Sequence, residues 1–194
     1  MNLHRLFVYA ACVGGLATLA AGPASAAVTV VAGNDLARAC YQAALNPDSH
    51  LTAISTCTAA LEGQPMSPSD RAATLVNRGI LHDHNGDADA AIADYTASLK
   101  IDPVLAEAYA DRGAVLANQK KYKAALADLN KGLALGTDRP QVTLCDRAYV
   151  REVLGNVRGA YLDYKKAAEV APDYTLAVEQ LRRFKVVYKP STDT

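Results

Sequence analysis

The 194-residue chain has no tryptophan, only 2 phenylalanines and no surplus of either charge, with 20 Lys+Arg against 20 Asp+Glu. Zero net charge removes the basic footprint on which nucleic-acid binding usually depends, so no nucleic-acid partner is expected. There is no Gly-rich phosphate loop, no Cys-x-x-Cys pair and no Gly-x-Ser-x-Gly elbow. The common nucleotide, redox and acyl-transfer signatures are therefore missing, and no enzyme activity or cofactor is expected. Alternating runs of Val, Ile, Thr and aromatics are absent too, which argues against a β protein. What the chain has is alanine, 38 residues of it. Alanine is the best helix former and lets helices approach closely. The length suits one domain with a real core and is short for two. Composition alone points to an all-α fold.

The first 26 residues have the pattern of an address label. Arg5 supplies a positive start, Leu6 to Ala21 is an uncharged apolar stretch of 16, Gly22-Pro23 breaks a helix, and Ala24-Ser25-Ala26 offers small residues for cleavage. A membrane span needs about 20 apolar residues, so the stretch is short for one. A signal peptide cleaved after Ala26 is the expectation, leaving no membrane span. An uncleaved anchor is one alternative; lipid attachment at Cys12 is another, disfavoured by Tyr9 and the brief apolar run before it. Export would place the chain in a bacterial-type periplasm or outside the cell, where disulfides persist.

Of the 4 cysteines, Cys12 lies in the leader, leaving Cys40, Cys57 and Cys145. Cys40 falls in a helical stretch from Asp35 to Leu45, with Asn34 as a candidate N-cap. Cys57 falls in a second, from Leu51 to Leu61, and Asn46-Pro47-Asp48-Ser49 reads as the turn between them. The two cysteines stand at near-equal distances from that turn, which sets them opposite each other in an antiparallel hairpin. A bridge there closes a loop worth about 3 kcal/mol in the chain-entropy model; the alternative is two small buried residues. Cys145 has no partner left and reads as a reduced core residue.

An internal repeat is the strongest signal. Asn77-Arg78-Gly79 recurs as Asp111-Arg112-Gly113 and Asp146-Arg147-Ala148, at spacings of 34 and 35. Ala90-Ala91-Ile92-Ala93-Asp94-Tyr95 recurs as Ala124-Ala125-Leu126-Ala127-Asp128-Leu129 and then Gly159-Ala160-Tyr161-Leu162-Asp163-Tyr164, at the same two spacings. Each copy holds two helical patterns split by a turn: Asn85-Gly86-Asp87, Gln119-Lys120-Lys121 and Leu154-Gly155-Asn156. Asp102 and Asp138 are candidate caps for the helices that follow them.

One helix pair per 34 residues, with small residues at helix contacts and Pro103 and Pro172 at copy boundaries, resembles the tetratricopeptide repeat (TPR) family. The family's small residue falls on Gly79, Gly113 and Ala148, its second-helix alanine on Ala91, Ala125 and Ala160, and its large packing partner on Tyr95, Leu129 and Tyr164. The boundary proline is replaced by Thr137 in the middle copy. The resemblance implies a right-handed α-α superhelix, a solenoid of helical hairpins, with repeats at 72–105, 106–139 and 141–174. Segment 27–71 then reads as a degenerate first hairpin with its linker, 175–187 as a capping helix and 188–194 as a tail.

Two polar patterns invite a chemical interpretation. Arg78/Asp94, Arg112/Asp128 and Arg147/Asp163 are each 16 apart. A pair repeated in every copy is a building element, since active sites are unique, and it is expected to tie the two helices of each hairpin together. His82-Asp83-His84-Asn85-Gly86-Asp87 lacks the calcium-loop pattern, and two His at i, i+2 point apart on a helix. It reads as a solvated turn rather than a metal site.

By the same resemblance the first helices line a groove that takes a protein or peptide partner. Its expected lining is Asn77, Ile80, His84, Glu107, Asp111, Ala114, Asn118, Asp146, Tyr149 and Glu152. Members that hold a C-terminal carboxylate carry Lys, Arg and Asn on this wall; here the matching positions are Val76, Ile80, Asp111, Val142 and Asp146, so that clamp is missing. An acidic and apolar lining favours a basic or amphipathic partner. The implied role is a scaffold or assembly factor in the cell envelope; a holder of exported chains and an accessory subunit of an envelope machine are the other readings. Charge is also segregated: residues 27–105 carry 4 basic and 9 acidic groups, and residues 106–194 carry 15 and 11. Such asymmetry favours weak self-association at low salt.

Overall fold

The computed structural model describes residues 6–10, 35–46, 50–63 and 65–188. The chain forms two bodies, one within 23–139 and one made of 140–194 with 1–22. Most of the expected leader, the cap Asn34, the turn at 47–49 and the tail beyond residue 188 lie outside the described residues.

The first body is three helical hairpins: α1 Asp35–Ala44 with α2 His50–Gly63, α3 Pro68–His84 with α4 Ala88–Ile101, and α5 Ala106–Asn118 with α6 Tyr122–Leu135. Local chemistry sets their ends. Ser67 accepts a hydrogen bond from the Asp70 N–H at 3.0 Å, and Pro68 opens α3, where its missing N–H costs nothing. Asp87 accepts from the Ala90 N–H at 3.2 Å to start α4. Gly136, at φ 87°, takes the left-handed turn that ends α6. Asp102 does not cap α5: its carboxylate accepts from the Val104 N–H at 3.1 Å, and α5 starts after Leu105 with no side-chain acceptor. Pro103 in the intervening turn sets Asp102 too far back to reach the helix.

Within hairpins the small and large residues of the repeat meet. Ala91, Ala125 and Ala160 have no exposed surface, and Tyr95, Leu129 and Tyr164 are buried. A Cβ on Gly79 stands 2.7 Å from Tyr95 Cε1, and one on Gly113 stands 2.8 Å from Leu129 Cγ. No side chain fits there, so glycine is what lets those helices close on each other. Cys40 and Cys57 form the disulfide expected from their offsets, with Cα atoms 4.8 Å apart and no exposure of either side chain. Around the bridge, Ala44, Ala53 and Leu81 of α3 close the core between the first hairpin and the second.

The second body holds α7 Pro140–Val153, α8 Val157–Val170 and α9 Thr175–Leu181. The Asn156 side chain caps α8, accepting from the Gly159 N–H at 2.9 Å. The helix expected over 175–187 stops at Leu181, and Phe184–Tyr188 is a strand (β2) paired antiparallel with β1, Leu6–Ala10, Leu6 facing Tyr188 and Ala10 facing Phe184. The run Phe184-Lys185-Val186-Val187-Tyr188 is β-branched and aromatic, which favours strand over helix. No helix among the described residues is long and apolar enough to cross a membrane.

Candidate functional site

The residues expected to line a groove divide between the bodies, and they differ sharply in access. In the first body Asn77 and Ile80 have no exposed surface. Ile80 packs with Val76, Tyr95, Ala108 and Val115 in the core between α3, α4 and α5, so it supports the face from beneath and touches no partner. The resemblance assigned Ile80 to the lining of a groove, and the structure places its side chain in the core. Asp111 is 8% exposed and lies 3.5 Å from the Arg139 guanidinium. Glu107 accepts a hydrogen bond from the Asp138 N–H at 3.2 Å. The acids expected to attract a basic partner are therefore engaged by the chain's own 138–139 turn. His84 and Ala114 are half-buried, and Asn118 is exposed.

In the second body Glu152 is also engaged: Tyr164 donates its hydroxyl to Oε1 at 3.0 Å, and Arg183 donates to Oε2 at 2.9 Å. The Phe184 ring rests 5.8 Å from Tyr161 and 5.9 Å from Tyr164, holding this end of the chain against α8. Asp146 is half-buried. Tyr149 (37% exposed) and Val153 (46%) follow it on the same face of α7, at i+3 and i+7, and give that helix an accessible apolar strip.

The Arg–Asp recurrence is structural in all three hairpins. Each arginine donates through Nε and Nη2 to both carboxylate oxygens of its aspartate: Arg78 to Asp94 at 2.8 and 2.8 Å, Arg112 to Asp128 at 2.7 and 3.0 Å, Arg147 to Asp163 at 2.9 and 2.7 Å. Such forks are the stronger kind of charge-assisted bond. The third guanidinium nitrogen does what the spacing did not reveal. Arg78 Nη1 donates to Thr58 Oγ1, and Arg112 Nη1 to Thr96 Oγ1, each at 3.0 Å. Thr58 and Thr96 belong to the preceding hairpin, so one guanidinium closes its own hairpin and fastens it to the one before.

Burial pushes the Cys145 thiol up to about 12, aided by Asp146 and Asp163, so at neutral pH it is an inert core thiol. Burial raises Tyr95 and Tyr164 well above the usual phenol range, with nearby carboxylates adding to it. The aspartate hydrogen bond holds Arg78 above its ordinary value, and burial raises Asp83 against the pull of His84. No group of three or more His, Cys, Asp or Glu among the described residues is placed to hold a metal.

Comparison with known proteins agrees with the helical-hairpin architecture. Residues 72–104 match the family model for a tetratricopeptide repeat. No curated protein matches the chain. Among solved structures, the first TPR of Spaghetti (RPAP3) bound to the HSP90 peptide SRMEEVD is similar at 27% identity and a TM-score of 0.56, covering 59% of this chain and 90% of that one. The first TPR domain of human RPAP3 is similar at 26% identity and a TM-score of 0.56, covering 60% of this chain and 91% of its own. MamA is similar at 20% identity and a TM-score of 0.63, with 77% of this chain and 82% of that chain covered, a likeness of fold alone.

Proposed function

We propose, from the tetratricopeptide match at 72–104 and the likeness to solved TPR domains, that the chain is a non-catalytic protein-interaction module whose α7, the first helix of its hairpin, holds an amphipathic segment of a protein partner. The observation that supports this is the accessible strip on α7, Tyr149 and Val153 beside Asp146, a width that suits the apolar stripe of one helix or extended peptide. The acidic HSP90 peptide seen with the similar RPAP3 domain is the wrong chemistry for this face. Asp146 stands at a position where a carboxylate clamp needs a cation. Glu152 on the same helix contributes less to a basic flank on the partner than its charge suggests, because Arg183 already holds it. With the leader read as a signal peptide, the proposed setting is the bacterial periplasm or envelope, as a scaffold or assembly factor.

Three peptides of equal length test it by calorimetric titration: an amphipathic Lys-rich helix, an Asp-rich counterpart, and a scramble of the first without the apolar stripe. The expected order is Lys-rich amphipath, then Asp-rich amphipath, then scramble, and Tyr149→Ala weakens the first by about tenfold, as loss of an aromatic anchor does. Equal or absent binding of all three, or an unchanged affinity for the Tyr149→Ala variant, overturns the reading.

A further inference from the structure

A second surface of the chain, on the body within 23–139, is built from charge rather than apolar side chains. The turn between α3 and α4 carries Asp87 and the first turn of α4 carries Asp89, both exposed. One repeat later the turn between α5 and α6 carries Lys120 and Lys121 and the first turn of α6 carries Lys123, also exposed. None of these five side chains forms an ion pair among the described residues. The two turns are direct neighbours, since Gln119 Nε2 donates to Asp89 Oδ1 at 2.9 Å across them. An acidic turn and a basic turn therefore lie side by side on one edge. Lys120 sits at φ 61°, where the other two copies have Gly86 and Gly155 at φ 81°. The basic turn thus carries a cation at a place where glycine is the conformationally easy residue.

A surface with acid beside base is complementary to itself. A twofold rotation about an axis between the two turns sets the acidic turn of one copy on the basic turn of the other, and the reverse contact forms at the same time. An acidic protein or an anionic lipid surface engages only the lysines and leaves Asp87 and Asp89 facing like charge, whereas a second copy satisfies both turns. We propose that this edge joins two copies of the chain in a symmetric, salt-sensitive dimer, with Asp87 and Asp89 of each facing Lys120, Lys121 and Lys123 of the other. The contact is independent of the α7 face, so either can fail without the other.

Sedimentation of the full chain at two ionic strengths is the first test. Between about 0.01 M and about 0.15 M the screening length falls from about 30 Å to about 8 Å, and the dimer dissociation constant is expected to rise at least about tenfold. Association through exposed apolar surface has the opposite salt response. Charge exchange is the second test. Lys120→Glu/Lys121→Glu/Lys123→Glu makes both turns acidic, while Asp87→Asn/Asp89→Lys makes the edge basic and keeps an Asn to cap α4. Each variant alone is expected to be monomeric, and an equimolar mixture is expected to form a heterodimer. Circular dichroism checks their folding, and Lys120→Gln/Lys121→Gln/Lys123→Gln replaces the first variant if it fails to fold, with monomer expected. A native chain that is monomeric at low salt overturns the proposal, as does a lysine variant that associates like the native chain or a mixture that stays monomeric. So does a native chain that binds anionic vesicles yet never self-associates, which assigns the lysines to a lipid surface.

Discussion

Replacing Arg78 with alanine removes three bonds at once, two to the carboxylate of Asp94 at 2.8 Å each and one to Thr58 at 3.0 Å. The consequence is set by what is left behind. Asp94 is only 8% exposed as a side chain, and the His82 ring is 3.9 Å away. Breaking a buried ion pair on one side costs about 3–5 kcal/mol, because the other charge stays uncompensated. The Arg78 side chain is 21% exposed, so water enters the vacated space and the expected loss is about 2–3 kcal/mol. At about 2–4 °C per kcal/mol for a chain of this size, the helical circular-dichroism signal should melt about 5–10 °C lower. The third repeat supplies an internal control. Arg151 Nη1 also donates to Asp163 Oδ2, at 2.7 Å, so Arg147→Ala leaves its aspartate paired and should cost only about 1 kcal/mol. Adding Asp94→Ala to Arg78→Ala should recover part of the loss by deleting the stranded carboxylate. The reasoning is refuted if Arg78→Ala costs under about 1 kcal/mol, or if Arg147→Ala costs as much as Arg78→Ala.

Gly79→Ala should destabilise by about 1–3 kcal/mol in urea despite alanine's better helix propensity, since its Cβ meets the buried Tyr95 ring at 2.7 Å. Gly63→Ala, with nothing within 4 Å of the new Cβ, should be neutral or stabilising in the same assay. Replacing Cys40 and Cys57 together by alanine should cost about 3 kcal/mol and make 35–63 the first segment cut in limited proteolysis, because the bridge closes its hairpin across 17 residues. Burial holds the Asp83 carboxyl above its ordinary 3.8, so the folded state disfavours the charged form. That penalty is absent below the unfolded pKa and grows as pH rises through the folded one. Asp83→Asn should therefore raise the urea midpoint at pH 7, with the advantage fading toward about pH 4.

The sequence made legible what repeats and little of what does not. Gly79 with Tyr95, Gly113 with Leu129 and each Arg–Asp pair stood out because selection for the same hairpin wrote them at constant spacing. The disulfide was legible for a related reason, the symmetry of Cys40 and Cys57 about one turn. The contacts that escaped are those with no periodic counterpart: Arg139 on Asp111, Arg183 on Glu152, and Thr58 beneath Arg78. Long arginine side chains reach these partners from turns and chain ends, and no helical period encodes that reach. The interior position of Ile80 escaped too, because a family resemblance names the helix that lines a groove and not how deeply neighbouring helices cover each of its residues. The capping helix expected over 175–187 exceeds the observed Thr175–Leu181 because the β-branched and aromatic run through Val186, Val187 and Tyr188 turns the chain to strand.

The balance of 20 basic and 20 acidic groups has a structural division within it. The three forked pairs contribute equally to both signs and lie largely inside the hairpins, so removing them from the count leaves the −5 of residues 27–105 and the +4 of residues 106–194 unchanged. The charges that hold the fold are therefore neutral in sum and shielded from ions, while the charges that segregate along the sequence are mostly exposed. Salt screens exposed charges and hardly reaches buried pairs. The two classes are thus separable by one variable. Raising ionic strength should leave the melting temperature of the helical array nearly flat while any association through Asp87, Asp89 and the three lysines falls away. A melting temperature that drops with salt would place the forked pairs in solvent and remove their role as the ties between helices.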